Sequence, residues 1–193
     1  MDRQEANELL ARSILEFDLA NLKLALENGA DINYNPSVIY VEGRYGHRYA
    51  VATDDSVLAR ALDLLGCDMT DEFSTPKKIK AAEDRAFEVV QYCVEHGIRL
   101  NTFYQCGDES CYAIWCYVHC YSEKILSYLL ENGLNVNMRV NGIYTVCDIL
   151  CDYANYDCES EYECGPYEMK MLEVLRRHGG KYSREILSSE ESE

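Results

Sequence analysis

The side chains best suited to chemistry gather between positions 106 and 120: Cys106, Cys111, Cys116, His119 and Cys120. Thiolate and imidazole are the groups that hold zinc, usually as two close pairs with roughly two to four residues inside each. No Cys-x-x-Cys pair occurs in the chain. Cys116 with Cys120, and Cys147 with Cys151, are spaced to share a helix face, which would give a four-thiol site if the two helices stack. The simpler reading is that cysteines at helical spacing fill a core as small apolar side chains. Cys116 and His119 also set a thiol three residues from an imidazole, but no third group marks an orienting partner or an oxyanion hole. The carboxylates Asp152, Asp157, Glu159, Glu161 and Glu163, with no Lys or Arg among them, raise calcium. They lack the central Gly and ligand spacing of an EF-hand loop and read as a solvated acidic loop. G-x-S-x-G, G-x-G-x-x-G and G-x-x-x-x-G-K-[ST] are all absent, so the hydrolase elbow and both phosphate cradles fail. The expectation is a non-enzyme with no cofactor, no metal, no catalytic residue and no evident small-molecule substrate.

Recognition is the chemistry left. Tyr occurs 16 times against four Phe, and Tyr gives a large contact area with a polar handle, as interfaces favour. The candidates for partner binding are Tyr40, Arg44, Tyr45 and His47, which surround one turn, with Tyr104 and Tyr144 in later loops. Tyr40 and Tyr49 would also suit half-buried strand positions. The charge balance chooses among partners: 18 Lys and Arg against 34 Asp and Glu leave −16. A nucleic-acid polyanion is disfavoured, and a protein with a basic surface is favoured.

The elements that position these groups show in a repeat. Gly29-Ala30-Asp31-Ile32-Asn33, Gly97-Ile98-Arg99-Leu100-Asn101 and Gly133-Leu134-Asn135-Val136-Asn137 share one pattern, and Gly179-Gly180-Lys181-Tyr182-Ser183 is a degenerate copy. Four and seven residues before each Gly stand Ala25/Leu22, Cys93/Val90, Leu129/Leu126 and Leu175/Leu172. This places an apolar stripe on a helix that ends at the Gly. Asn28, His96, Asn132 and His178 precede the glycines and suit the unpaired carbonyls of a helix end. The Asn four residues after Gly suits a turn closed on its own backbone. The anchors lie 68, 36 and 46 residues apart. The first interval either hides a further copy, with Gly66 as its remnant, or holds one enlarged unit.

Leu22-Lys23-Leu24-Ala25-Leu26-Glu27-Asn28-Gly29-Ala30-Asp31-Ile32-Asn33 resembles the second helix and G-A-D-[IV]-N exit of the ankyrin-repeat family. Ile125 to Gly133 is similar to a second such helix. Asn141-Gly142-Ile143-Tyr144-Thr145-Val146-Cys147-Asp148-Ile149-Leu150 is similar to the family's G-x-T-P-L-D-x-A motif, with Val146 in place of Pro. The resemblance implies an all-α solenoid of four to five degenerate repeats, whose concave groove binds other proteins.

Three segments depart from the repeat. Residues 38–42 and 47–51 alternate around Gly43-Arg44-Tyr45-Gly46 and predict an extended β-hairpin insertion near residues 38–51. Ser74-Thr75-Pro76 predicts the start of a helix running to about His96. The third is the acidic loop. The expected layout is one domain over residues 1–187 and an acidic, disordered tail over 188–193. No apolar run is long enough to span a membrane, and Met1-Asp2-Arg3-Gln4-Glu5 is no secretory leader. Ten cysteines in such a chain read as reduced thiols, so the cytoplasm is expected. The main functional expectation is a protein-interaction module. An acidic inhibitor or immunity-type protein masking a basic toxin or nuclease, and a zinc-binding or redox-responsive thiol protein, are the alternatives.

Overall fold

Most helices begin where a side-chain oxygen takes over a backbone donor that the first turn leaves unpaired. In α1 (Arg3–Leu15) the cap is reciprocal: Asp2 accepts from the Glu5 amide and Glu5 accepts from the Asp2 amide, both at 2.9 Å. Asp18 caps α2 (Leu19–Glu27), Thr75 caps α4 (Pro76–Glu95) and Ser122 caps α6 (Glu123–Glu131). Pro76 stands in the first turn of α4, where its missing N–H has no intrahelical partner to lose. Phe17 and Tyr121, directly before the α2 and α6 caps, both take the left-handed backbone, at φ +51° and +52°. That conformation costs a bulky residue roughly 1–2 kcal/mol, so both tight turns are held by the packing around them.

The computed structural model describes residues 1–36, 38–42, 48–52, 56–70, 74–106, 109–140, 144–155 and 166–190. Among these residues the fold is predominantly helical. The remaining helices are α3 (Val57–Thr70), α5 (Ala113–His119), α7 (Val146–Asn155), α8 (Pro166–Arg177) and α9 (Ser183–Glu190). Three two-stranded antiparallel ribbons precede α3, α5 and α7. They are β1 (Val38–Glu42) with β2 (Arg48–Ala52), β3 (Phe103–Cys106) with β4 (Glu109–Tyr112), and β5 (Arg139–Val140) with β6 (Tyr144–Thr145). Val38 faces Ala52 and Glu42 faces Arg48 in the first ribbon.

The helices pack as consecutive pairs, α1/α2, α3/α4, α5/α6 and α7/α8, and the pairs stand side by side. First helices touch first helices (α1 with α3, α3 with α5), while α2, α4, α6 and α8 form a second row. Each pair ends in the same way. Gly29, Gly97, Gly133 and Gly179 lie at φ +83° to +100°, and the following residue donates back across the last turn. Ala30 reaches the Ala25 carbonyl at 3.1 Å, Ile98 that of Cys93 at 3.1 Å, Leu134 that of Leu129 at 3.0 Å, and Gly180 that of Leu175 at 2.8 Å. This six-to-one closure is the Schellman ending that a left-handed glycine permits. Asn28 and Asn132 cap the preceding turns with their side-chain amides, and a ring nitrogen of His96 meets the Tyr92 carbonyl at 2.8 Å.

The Asn four residues after each of the first three glycines does not close a turn on its own backbone. Its carboxamide bridges to the next pair. Asn33 donates to the Gly97 carbonyl at 3.2 Å and accepts from the Arg99 amide at 2.8 Å. Asn101 does the same to Gly133 and Asn135 at 2.9 and 2.7 Å, and Asn137 to Gly179 and Lys181 at 3.2 and 2.8 Å. Asn7 of α1 supplies the matching acceptor for the first exit, taking the Asp31 amide at 2.8 Å. The local turns are closed instead by Asp31 and Asn135, which accept from the amides of Asn33 and Asn137.

Asn33 joins the exit after Gly29 directly to Gly97, and one helix pair, α3/α4, lies between them, so the interval of 68 residues holds one enlarged unit. Gly66 is no exit residue. It lies inside α3, where a Cβ would stand 1.9 Å from the His119 carbonyl oxygen of α5. Glycine is what lets the two first helices approach this closely.

One apolar cluster runs from Leu10 to Leu175. Leu10, Ile14, Leu22, Leu58, Leu62, Ile114, Ile125, Leu126, Leu129 and Leu150 are buried in it. Each contributes about 1.5–3 kcal/mol relative to exposure. Helix α9 covers residues 188–190 of the stretch expected to be a tail, and residues 191–193 lie outside the described residues. No helix among the described residues is long and apolar enough to cross a membrane.

Candidate functional site

Neither row of helices holds much of the net charge: α1, α3, α5 and α7 carry three Lys or Arg against six Asp or Glu. Helices α2, α4, α6 and α8 carry nine Lys or Arg and nine Asp or Glu, a net of zero. The rest of the chain therefore has nine cations against 25 carboxylates, and carries the whole −16. Within the neutral row, cations pair with carboxylates across neighbouring helices. Lys124 meets Asp84 at 3.2 Å, and Glu123 takes Arg177 at 2.9 Å and Lys170 at 3.5 Å. Such exposed pairs contribute roughly 0–1 kcal/mol each. The excess of carboxylates falls mostly on the connecting segments, of which residues 53–55, 71–73 and 156–165 lie outside the described residues.

The residues expected to touch a partner fall at the ribbons. Tyr40 lies on β1 opposite Ala50, Tyr104 on β3 opposite Cys111, and Tyr144 on β6 opposite Val140. Tyr144 is exposed, as is Val38 at the start of β1. Arg44, Tyr45 and His47 lie outside the described residues. The three described residues thus belong one to each of the three ribbons.

A cavity of about 500 Å³ opens between the first two exits. Its floor is Ile14, Ile32, Val57, Leu58 and Ile98, and its rim includes Asn35, Ser56, Arg99 and Thr102. Sequence reasoning did not single these out. Arg99 is a cation two residues after an exit glycine, as Lys181 is at the fourth exit, where the first and third carry Asp31 and Asn135. A second cleft, about 590 Å³, lies beside the neutral row and is bordered by Met69, Tyr121, Tyr167 and Lys170 among others. Tyr121 donates its hydroxyl to Glu168 at 3.0 Å, and its ring centre is 5.3 Å from that of Tyr167. Burial, and the carboxylate of Glu168 beside it, push the Tyr121 phenol above its usual range.

Four of the thiols are core residues. Cys93, Cys116, Cys120 and Cys147 are buried, and burial pushes Cys93 and Cys120 up to about 12, so both are protonated at neutral pH. Cys120 donates to the Tyr117 carbonyl at 3.0 Å. Among the described residues, no three His, Cys, Asp or Glu side chains converge as metal ligands would. His119 packs edge-on to Trp115, with ring centres 3.9 Å apart. Burial holds it below its usual range against the pull of Asp63 and Glu168, so it is a neutral aromatic of the first-helix row.

At the far end, Asp148 of α7 ties the third ribbon to α9. It accepts from the backbone and hydroxyl of Ser183 at 3.0 and 2.5 Å, and from the Thr145 amide at 2.7 Å. Partial burial opposes its ionisation. The bonds from Ser183 and Thr145 outweigh that and hold the carboxyl below its ordinary value.

No known protein-family model matches the chain, and no curated protein matches it either.

Proposed function

We propose that the protein is a non-enzymatic protein-interaction module of the ankyrin-repeat kind. It docks a basic partner protein against the face formed by its first helices and ribbons, and works in the cytoplasm. The observation that carries this reading is the charge balance of the chain. A net charge of −16, none of it on the second-helix row, favours a partner with a basic surface. Fields of this kind speed encounter with a basic partner and fall off with salt. The repeat assignment is supported by the recurring Schellman endings and the three carboxamide bridges, which impose the same offset between successive pairs. Stacked units of this type present an extended surface for protein ligands.

The test is affinity capture from the native host lysate, at low and high salt, with the native chain and with a variant whose residues 42–47 become a short Gly-rich turn. The expected result is one basic protein retained by the native chain and lost by the variant, with helical circular dichroism unchanged. Retention at high salt assigns an inhibitor-like, tight complex; release assigns a steered, adaptor-like one. Equal capture by both chains removes the first ribbon from the interface. No basic protein at either salt refutes the reading.

A further inference from the structure

Resting on the protein-interaction reading, we propose that the 500 Å³ cavity between the first two exits binds the C-terminal residue of a partner polypeptide, with its carboxylate at Arg99 and an aliphatic side chain on the cavity floor. Its volume lies in the range of ligand sites, roughly 300–1,000 Å³. Two polar atoms of its lining are buried without a hydrogen-bond partner among the described residues, the side-chain carbonyl of Asn35 and the hydroxyl of Thr102. Buried polar groups are nearly always paired, so each such atom beside a roomy cavity asks for a group to fill it.

The chemistry required narrows the occupant. The Asn35 oxygen only accepts, so the ligand must bring an N–H or O–H. Thr102 both donates and accepts. Arg99 is exposed at the rim and makes no ion pair among the described residues; its backbone amide alone is engaged, by Asn33. A guanidinium with all its donors open matches a carboxylate. Asn33 and Asn101 also border the cavity, but their carboxamides are committed to the bridges between pairs. Ile14, Ile32, Val57, Leu58 and Ile98 suit one branched aliphatic side chain. A chain terminus supplies all three at once: an amide N–H for Asn35, a carboxylate for Arg99 and Thr102, and a side chain between them. In a chain of −16, Arg99 is the one cation of the cavity lining and so the local point that holds a carboxylate.

The probe is acetyl-Gly-Gly-Leu with a free carboxylate, titrated into the isotope-labelled full chain and followed by amide chemical shifts, against the same peptide as its C-terminal amide. Saturable shifts confined to residues 32–35, 56–58 and 98–102, with a Kd of about 1 mM, are expected for the acid. Binding falls at least about tenfold for the amide, for Arg99→Gln and for Thr102→Val. Thr102→Val removes a hydroxyl that has no partner among the described residues, so its melting temperature is not lowered, which separates lost binding from lost fold. No saturable shift with the acid up to about 10 mM, shifts elsewhere, or equal affinity for acid and amide overturns the proposal. The two readings fail separately. A basic partner captured equally by the native chain and Arg99→Gln leaves the module and removes the terminus. Peptide binding with no protein captured does the reverse.

Discussion

Replacing Asn101 by Ala tests whether the carboxamide bridges hold the helix pairs in register. The change deletes the bond to the Gly133 carbonyl at 2.9 Å and the acceptor of the Asn135 amide at 2.7 Å, both between pairs. A hydrogen bond contributes about 0.5–1.5 kcal/mol net. Asn101 is exposed, so water replaces part of what is lost and the lower half of the range applies, about 1–2 kcal/mol for the two. With a urea dependence of about 1–3 kcal/mol per molar, the midpoint should fall by roughly 0.5–1 M. Asn132→Ala is the control, because it removes one bond, to Tyr128 at 2.8 Å, inside a single helix, and should cost about half as much. Hydrogen exchange gives a local signature: the Asn135 amide loses its acceptor in Asn101→Ala and exchanges faster, while the Ala30 amide, in another pair, does not. A loss below about 0.3 kcal/mol with unchanged Asn135 protection would refute the reasoning.

Three further outcomes follow from other contacts. Gly66→Ala sets a Cβ 1.9 Å from a backbone oxygen that cannot swing away, so thermal melting should show a loss of about 1–3 kcal/mol; an unchanged melt would show that α3 and α5 are not in contact there. Asp148 has a folded pKa below its ordinary 3.8, so its contribution is complete above that value and drains as pH falls through the folded one. The stability gap between native chain and Asp148→Asn, from urea titrations, should therefore be wider at pH 7 than at about pH 3; a constant gap counts against the carboxylate's role. Iodoacetamide at about pH 8 should label exposed Cys67 and spare Cys93 and Cys120 until the chain unfolds. Peptide mass spectrometry reads this, and fast labelling of Cys93 in the native chain contradicts its burial.

Helix endings were the most legible part of the fold. Gly at the left-handed position, a polar residue before it and an apolar stripe behind it all act within one helix, so a linear pattern captures them. The bridges were not legible. An Asn that closes a turn and an Asn that reaches a neighbouring pair have the same sequence setting, and only the stack shows that Asn33 meets Gly97. Gly66 failed for a related reason: a glycine required by a close helix approach looks the same as a worn exit signal. The first ribbon was visible as alternation, because period two is a local property. The cavity at Arg99 was invisible, since its lining comes from four segments spread between residues 14 and 102.

The same helix endings govern how two of the chain's three Asn–Gly pairs age. An Asn–Gly pair loses ammonia when the glycine nitrogen attacks the side-chain carbonyl carbon, closing a succinimide that opens to a carboxylate. In Asn28-Gly29 and Asn132-Gly133 both reacting groups are engaged elsewhere. The glycine N–H donates to Leu26 or Leu130, and the carboxamide donates to Leu24 or Tyr128. The reaction waits on fraying of that last turn. Once it occurs it is self-reinforcing, because the product has no N–H to give the helix and sets a negative charge at the helix's negative end. At these two pairs chemical lifetime is thus set by a turn of helix and not by the core; the chain's third Asn–Gly pair, Asn141-Gly142, lies outside the described residues.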